Sequence, residues 1–311
     1  MVVDVDEKCR KDTAKVCCTC GDLQNFLANH EMIQNTPWAW RGWESVVHSR
    51  WPSKALAAEA ETEIMALYAI GDLHLAFRAK LKNEEQRTGA LWVGREEKMR
   101  KNCAKCMTPE DTLVLLGDHS WGRNLEEAAP DLAYIEALPG RKILLRGNHD
   151  MFWDAKKTQK LNQQFAGRLF FLQNNFYSYG DYALVGTKGF TFEGPFYVNG
   201  RGEIMGWDEA AKAHADKLIA RELQRLRDSF EQAKAAGYTK FILFLHYPPT
   251  NILESSSPFT KMAKAYGAEQ VVYAHCHGAE RFHDSLQGRK RGIRYSLVSG
   301  DFLHWQPQRI L

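Results

Sequence analysis

An α/β layered domain is the fold this sequence predicts, on three observations. Short apolar runs bounded by glycine and polar residues, the mark of buried strands, recur at 67–70, 113–116, 143–145, 241–245 and 271–274. Helical patterns lie between them, and such alternation belongs to layered α/β folds. Each run also ends in a side chain able to hold a metal, and sites in open α/β sheets form beyond the carboxyl ends of strands.

In chain order, residues 1–64 differ from the rest: they hold four Cys, four Trp, an Ala/Glu-rich stretch and no strand-like run. The first strand begins just after Met65, so Met65 is the expected natural start. Residues 1–64 read as an N-terminal extension, poorly ordered or accessory, and 65–311 as the catalytic domain. A helix at 95–107 precedes a strand at 112–116. The helix at 125–138 contains Pro130, expected to interrupt or kink it. A strand at 141–145, a polar helix at 155–165 and β runs at 169–173, 176–179 and 182–186 follow. The segment 190–207 is aromatic and Gly-rich, either a wall or lid over a site or a plain surface connection. A long amphipathic helix at 207–236 carries Leu218, Leu223, Leu226 and Phe230 on its apolar stripe. The last third reads as strand 241–245, helix 259–266, strand 271–274 and a β run at 293–298.

Composition narrows the class. With 311 residues, 44% apolar and 25% charged, the chain is ordinary for a soluble globular protein. A net charge of +3 argues for neither nucleic acid nor an anionic membrane as partner. No apolar stretch approaches the roughly 20 residues of a membrane span, and residues 1–12 show no secretory signal. Seven Cys without an export signal predict reduced thiols and a cytoplasmic protein. Cys9, Cys17, Cys18 and Cys20, with His30, match no familiar zinc spacing and read as incidental. Cys103 and Cys106 have CxxC spacing but sit in a helix without a second pair, as packing cysteines do.

The chemistry lies in the strand endings. Asp72 and His74 share an i, i+2 relation that lets them grip one ion, as do His275 and His277. With Asp118, Asn148 and His246 there are seven candidate ligands, too many for one transition metal. They suit two ions, provided that one carboxylate is shared, and Asp118 is the central candidate. Gly71, Gly117 and Gly147 precede three ligand clusters, where a missing side chain lets backbone approach the metals. Two ions about 3.5–4 Å apart suit phosphoryl chemistry, polarising phosphate oxygens and acidifying a bridging water. His149, between Asn148 and Asp150, reads as an imidazole oriented by a carboxylate and free to protonate a leaving oxygen.

Asp72-Leu73-His74, Gly117-Asp118, Gly147-Asn148-His149-Asp150, His246 and His275-Cys276-His277 together resemble the signature of calcineurin-like metallophosphoesterases. The resemblance runs from Met65 to about Asp301 in the family order. The Gly-Asp-x-Ser-Trp segment at 117–121 is similar to a bacterial subgroup of uncharacterised phosphoesterases. It implies two packed mixed β-sheets flanked by helices, a four-layer sandwich. It further implies that Asp72, His74, Asp118 and His277 hold one metal, and that Asp118, Asn148, His246 and His275 hold the other. His149 would be the acid or transition-state stabiliser, oriented by Asp150, and a metal-bridging hydroxide the nucleophile.

Two positions depart from the pattern: Ala274 replaces the glycine before the paired histidines, and His119 an apolar residue after the bridging Asp. His119 reads as a hydrogen-bonded buried histidine or as an added support for the ligands. Arg123, Lys188 and Arg221 are candidates for a substrate phosphate or a solvated basic face. Trp121 and Trp153 read as packing residues. The expectation is a dinuclear phosphoesterase acting on a small phosphorylated substrate, with Mn²⁺ first among Mn²⁺, Fe and Zn²⁺ as its metals. Its rivals are a non-catalytic metal-binding scaffold that binds a protein partner, and a dinuclear amide or ester hydrolase.

Overall fold

Strands β1 (Leu67–Ile70), β2 (Thr112–Leu116), β3 (Arg141–Leu145) and β4 (Leu169–Leu172) run parallel, in that order, through one sheet. The short β13 (Gln308–Arg309) closes the β1 edge antiparallel. In a second sheet, β6 (Tyr182–Thr187), β9 (Lys240–Leu245), β10 (Ala268–Tyr273) and β12 (Ile293–Leu297) are parallel neighbours. Its margins are antiparallel, β5 (Phe176–Tyr179) on β6 and β11 (Gly288–Lys290) on β12. Both sheets are therefore mixed. A separate pair, β7 (Phe196–Val198) with β8 (Ile204–Trp207), interrupts the chain between β6 and β9. This computed structural model describes residues 65–81, 89–191, 196–198, 204–250 and 256–311. The N-terminal extension, with its cysteines and His30, lies outside them, as does the rest of the 190–207 segment.

Period-2 alternation sorts the side chains into three cores. From β1, Leu67 and Ala69 face inward with Val114, Leu116, Ile143 and Leu145, meeting Leu184, Ile242, Phe244 and Val272 of the other sheet. Tyr68 and Ile70 face outward, onto Met99, Leu132 and Leu161 of helices α1 (Arg95–Cys106), α2 (Leu125–Glu136) and α3 (Thr158–Gln164). The outer face of the second sheet packs Phe241, Leu243, Val271 and Tyr273 against α4 (Glu209–Ala235) and α5 (Pro258–Tyr266), through Leu226, Phe230, Phe259 and Met262. A short α6 (Ala279–Asp284) follows the paired histidines. The result is helix, sheet, sheet, helix.

Helix α2 is continuous through Pro130, so the helix is not interrupted there. Proline lacks the N–H that would meet the Glu126 carbonyl four residues back. Arg78 Nη1 donates to that carbonyl at 3.2 Å, which supplies the missing partner. Helix α4 starts at Glu209, because the Asp208 side chain caps it by accepting from Ala211 N at 3.0 Å; Trp207 belongs to β8. Cys103 is buried in α1 with its Sγ 3.9 Å from Met99 Sδ. Burial pushes its thiol pKa up to about 12, so it packs as an apolar group. No helix among the described residues is long and apolar enough to cross a membrane.

Candidate metal centre

The parallel strands deliver the seven candidate ligands to one edge. β1 leads into Asp72 and His74, β2 into Asp118, β3 into Asn148, β9 into His246, and β10 into His275 and His277. The two sheets are tied together there: Gly71 N donates to Val298 O, and His275 N to Asp72 Oδ2, each at 2.8 Å. Asp72, His74, Asp118 and His275 adopt left-handed backbone, with φ of 61°, 46°, 52° and 72°. That costs about 1–3 kcal/mol per non-glycine residue and is concentrated at functional sites. The glycines before the clusters let the ligand loops approach one another closely. A Cβ at Gly117, where φ is 86°, would meet His246 Nδ1 at 2.5 Å, and one at Gly147 would strike the Asp118 carboxylate.

Donor atoms gather in two groups, Asp72 with His74 and His277, and Asp118 with His246 and His275, each within 4.8 Å. Asp118 reaches both: its Oδ1 lies 3.5 Å from His246 Nε2 and its Oδ2 3.7 Å from His74 Nε2. Proton counting shows that these groups fit cations. His246 Nδ1 donates to the Leu116 carbonyl at 2.8 Å, and burial lowers its pKa, with Asp72 opposing, so the ring is neutral and Nε2 is a lone pair. That lone pair faces Asn148 Oδ1 at 2.7 Å and His275 Nδ1 at 3.2 Å. His277 Nδ1 lies 3.0 Å from the Asp301 carboxylate, and its Nε2 lies 3.4 Å from His74 Nε2. A cation bound in each group would take these ring nitrogens and the Asn148 oxygen as ligands. Asp72 Oδ1, buried without a hydrogen-bond partner, is open to such a cation as well.

Burial dominates the electrostatics. It raises the pKa of Asp72, with His277 and His246 opposing. Asp118 rises to about 6, through burial first and then Asp150, with His149 opposing. His275 falls to about 2, from burial first and then from having His246 and His277 as neighbours. Neutral imidazoles beside carboxylates that resist ionisation form a site whose preferred counter-charge is a divalent cation.

His149 stands at the rim. Its N–H donates to Asp118 Oδ1 at 2.8 Å, and its Nε2 lies 3.9 Å from Asp118 Oδ2. The side chain is 34% exposed while that of Asp118 is 1% exposed, so solvent and substrate can reach the imidazole. Trp121 packs on it, with ring centroids 4.2 Å apart. The Asp150 carboxylate binds backbone: Gly147 N at 2.7 Å, Asp118 N at 2.9 Å, His119 N at 2.7 Å and Ser120 N at 3.3 Å. Asp150 thus clasps the loops after β2 and β3, and it positions His149 through the chain rather than through the ring.

Further supports escaped the sequence reading. Asp301, 1% exposed, backs His277. It follows β12 and Gly300 in the same strand-Gly-Asp pattern as Asp72 and Asp118, a signal that could have found it. Arg95 donates to the carbonyls of Leu73 at 3.1 Å and His74 at 2.8 Å, fixing the first ligand loop to α1. Buried Asp131 on α2 accepts from the Ser120 hydroxyl and from Phe77 N. Among the departures, Ala274 presents its methyl to Gly71, which has none to clash. His119 is fully buried, with Nε2 2.9 Å from the Leu145 carbonyl. Trp153 is buried, its Nε1 donating to Thr158 Oγ1. Of the candidate cations, Arg123 pairs with Glu127 at 3.3 Å and Arg221 with Glu222 at 3.5 Å, while Lys188 adjoins Tyr247 beside the second donor group.

Residues 65–279 match the family described as calcineurin-like phosphoesterase. No curated protein matches the chain. Among solved structures, a protein of unknown function from Aquifex aeolicus is similar at 17% identity and a TM-score of 0.41, over 79% of this chain and 95% of its own. A protein from Thermus thermophilus is similar at 10% identity and a TM-score of 0.42, over 79% of this chain and 98% of its own.

Proposed function

This chain belongs to the calcineurin-like phosphoesterase family of metal-dependent phosphoester hydrolases, and from that premise we propose a dinuclear enzyme in which His149 is the acid. Asp72, His74, Asp118 and His277 hold one ion; Asp118, Asn148, His246 and His275 hold the other. Two bound divalent ions supply Lewis acidity toward phosphate oxygens and acidify a water toward neutral pH. A site of Asp, Asn and His suits Mn²⁺, Fe and Zn²⁺ alike, and Mn²⁺ is the ion we put first. The substrate is a small phosphorylated molecule.

The remaining work falls to the chain. Asp118 joins the two donor groups and, through the N–H of His149, sets where that imidazole stands. An exposed ring held beside the shared carboxylate can give a proton to the leaving oxygen or stabilise charge on it. Trp121 restricts the ring's rotation. The Asp150 clasp keeps both loops in register. One observation carries the reading: Asp118, a member of one donor group, lies 3.7 Å from His74 of the other, with an accessible histidine beside it.

The test is Mn²⁺-dependent hydrolysis of p-nitrophenyl phosphate beside bis(p-nitrophenyl) phosphate, with His149→Ala and Asp118→Asn as controls. Turnover that both substitutions abolish is the expected result, and the preferred compound separates monoesterase from diesterase. Two bound metals with no turnover of either compound under Mn²⁺, Zn²⁺ or Fe²⁺ would favour a metal-binding scaffold that engages a protein partner.

A further inference from the structure

Each inner parallel strand of the second sheet ends beside the metal centre, and β6 is no exception. It runs parallel to β9 in a register that pairs Thr187 with Leu245. The next residues, Lys188 and His246, therefore leave the sheet side by side. The Lys188 carbonyl accepts from His246 N at 3.2 Å and from Tyr247 N at 3.0 Å, which fastens it to a ligand-bearing loop. Its Nζ lies 5.3 Å from the centroid of the Tyr247 ring, and that ring lies 4.4 Å from the ring of His275. The ammonium thus stands one tyrosine away from the second donor group. His149 and Trp121 cluster instead with His74 of the first.

Among the described residues, the surroundings of Lys188 offer it little negative charge. Glu222 is the acid that acts on it, but this buried carboxylate is already engaged by Thr187 Oγ1 at 2.5 Å, Arg225 at 2.6 Å and Arg221 at 3.5 Å. Lys188 makes no ion pair within 4.0 Å among the described residues, unlike Lys212 with Asp216 or Arg168 with Glu136. Burial lowers its pKa, and Arg146, Arg221 and Arg225 push the same way against Glu222. A half-buried ammonium among guanidinium groups is a cost to the empty protein that an incoming anion relieves.

We propose that Lys188 binds a second anionic group of the substrate, placed beyond Tyr247 from the scissile phosphoester. The substrate class is then a phosphoester that carries another phosphate or a carboxylate. This rests on the phosphoesterase reading, because the metal centre is taken to hold the first phosphate. The Tyr247 ring touches both the ammonium and His275, and the separation of the two anions rests on that ring as the spacer. The flat ring supports the bridge between the two anions and contributes apolar contact to it.

Calorimetric titration of the Mn²⁺-loaded full chain tests this with non-hydrolysable probes: phenylphosphonate, 4-carboxyphenylphosphonate and 1,4-phenylenediphosphonate. At least one of the two-anion probes is expected to bind about tenfold tighter than phenylphosphonate, as a charge-assisted hydrogen bond provides. Whichever gains more identifies the second anion. Lys188→Gln should remove that advantage and leave phenylphosphonate within about twofold, while Lys188→Arg should keep most of it. Equal affinities for all three probes in the unsubstituted protein, or a Lys188→Gln loss common to all three, would overturn the proposal. Turnover of p-nitrophenyl phosphate is measured in parallel. A preserved two-anion preference without turnover would defeat the hydrolytic reading alone; turnover without the preference would defeat this one alone. No binding of any probe would defeat both.

Discussion

Asp118 sets how the site responds to pH. Its folded pKa, about 6, lies above its ordinary 3.8. The fold therefore holds that proton more tightly than the unfolded chain does. The associated stability is present below the unfolded value and is lost as pH rises through about 6. His275 runs the other way. Lowered to about 2 from 6.5, it contributes stability that is present above 6.5 and lost as pH falls. Because its imidazole is already neutral in the fold, it does not contend with a metal for a proton at about pH 5. Asp118 does, and Asp72, also raised, adds to the effect. Mn²⁺ affinity should therefore fall about tenfold per pH unit below about 6, and a Kd that stays flat down to about pH 5 would refute this. His149→Ala should cut kcat by about 10²–10⁴ with the metal content intact, since His149 belongs to neither donor group. Asp301→Ala should instead cost about 10–100-fold in metal affinity, read by competition with a chelator, with His149 untouched. All seven ligand candidates were legible because each ends an apolar run. Asp301 follows the same grammar. Its task of holding His277 depends on where β12 lies against β10, which no local pattern encodes.

At the scale of elements, the ends of β1 and β10 meet with no space between them. A Cβ at Gly71 would lie 2.6 Å from the Cβ of Ala274 and 3.2 Å from the Leu116 carbonyl. Gly71→Ala should cost about 1–3 kcal/mol as an overpacked contact, read as a lowered denaturation midpoint, and should weaken metal binding through Asp72. Adding Ala274→Gly should recover a measurable part of that loss, because it removes the nearer of the two clashes. A double substitution no better than Gly71→Ala alone would place the strain at the Leu116 carbonyl instead. The parallel strands were readable as unbroken apolar runs, since both faces of each are buried. The short β7, β11 and β13 were not, having two or three residues and, in β11 and β13, charged ones, while β8 is as long as β1 but contains Gly206 within a Gly-rich stretch. Continuity of the helix through Pro130 was not readable for a different reason. The guanidinium that satisfies the Glu126 carbonyl comes from Arg78, far off in sequence, and a helix-breaking rule sees only the local chain.

For the whole molecule, the question is how much of the chain the site needs. Every candidate ligand, and every support named for one, lies within residues 65–311, and the family match begins at residue 65. The outer edge of β1 is already paired within that region. Ile310 N donates to the Leu67 carbonyl at 2.7 Å, and Leu67 N to the Leu311 carbonyl at 3.2 Å. A paired edge offers little to a further strand. A chain starting at Met65 should therefore fold and hold its metals without residues 1–64. A ligand that binds the folded state at about a thousand times its Kd stabilises it by about 4 kcal/mol, so Mn²⁺ should raise Tm in the shortened and full-length proteins by the same amount, and EDTA should reverse it. Equal shifts would assign residues 1–64 a task apart from the metal centre. If the shortened protein is insoluble, or its Tm ignores Mn²⁺, residues 1–64 form part of the catalytic domain and the boundary at Met65 is wrong.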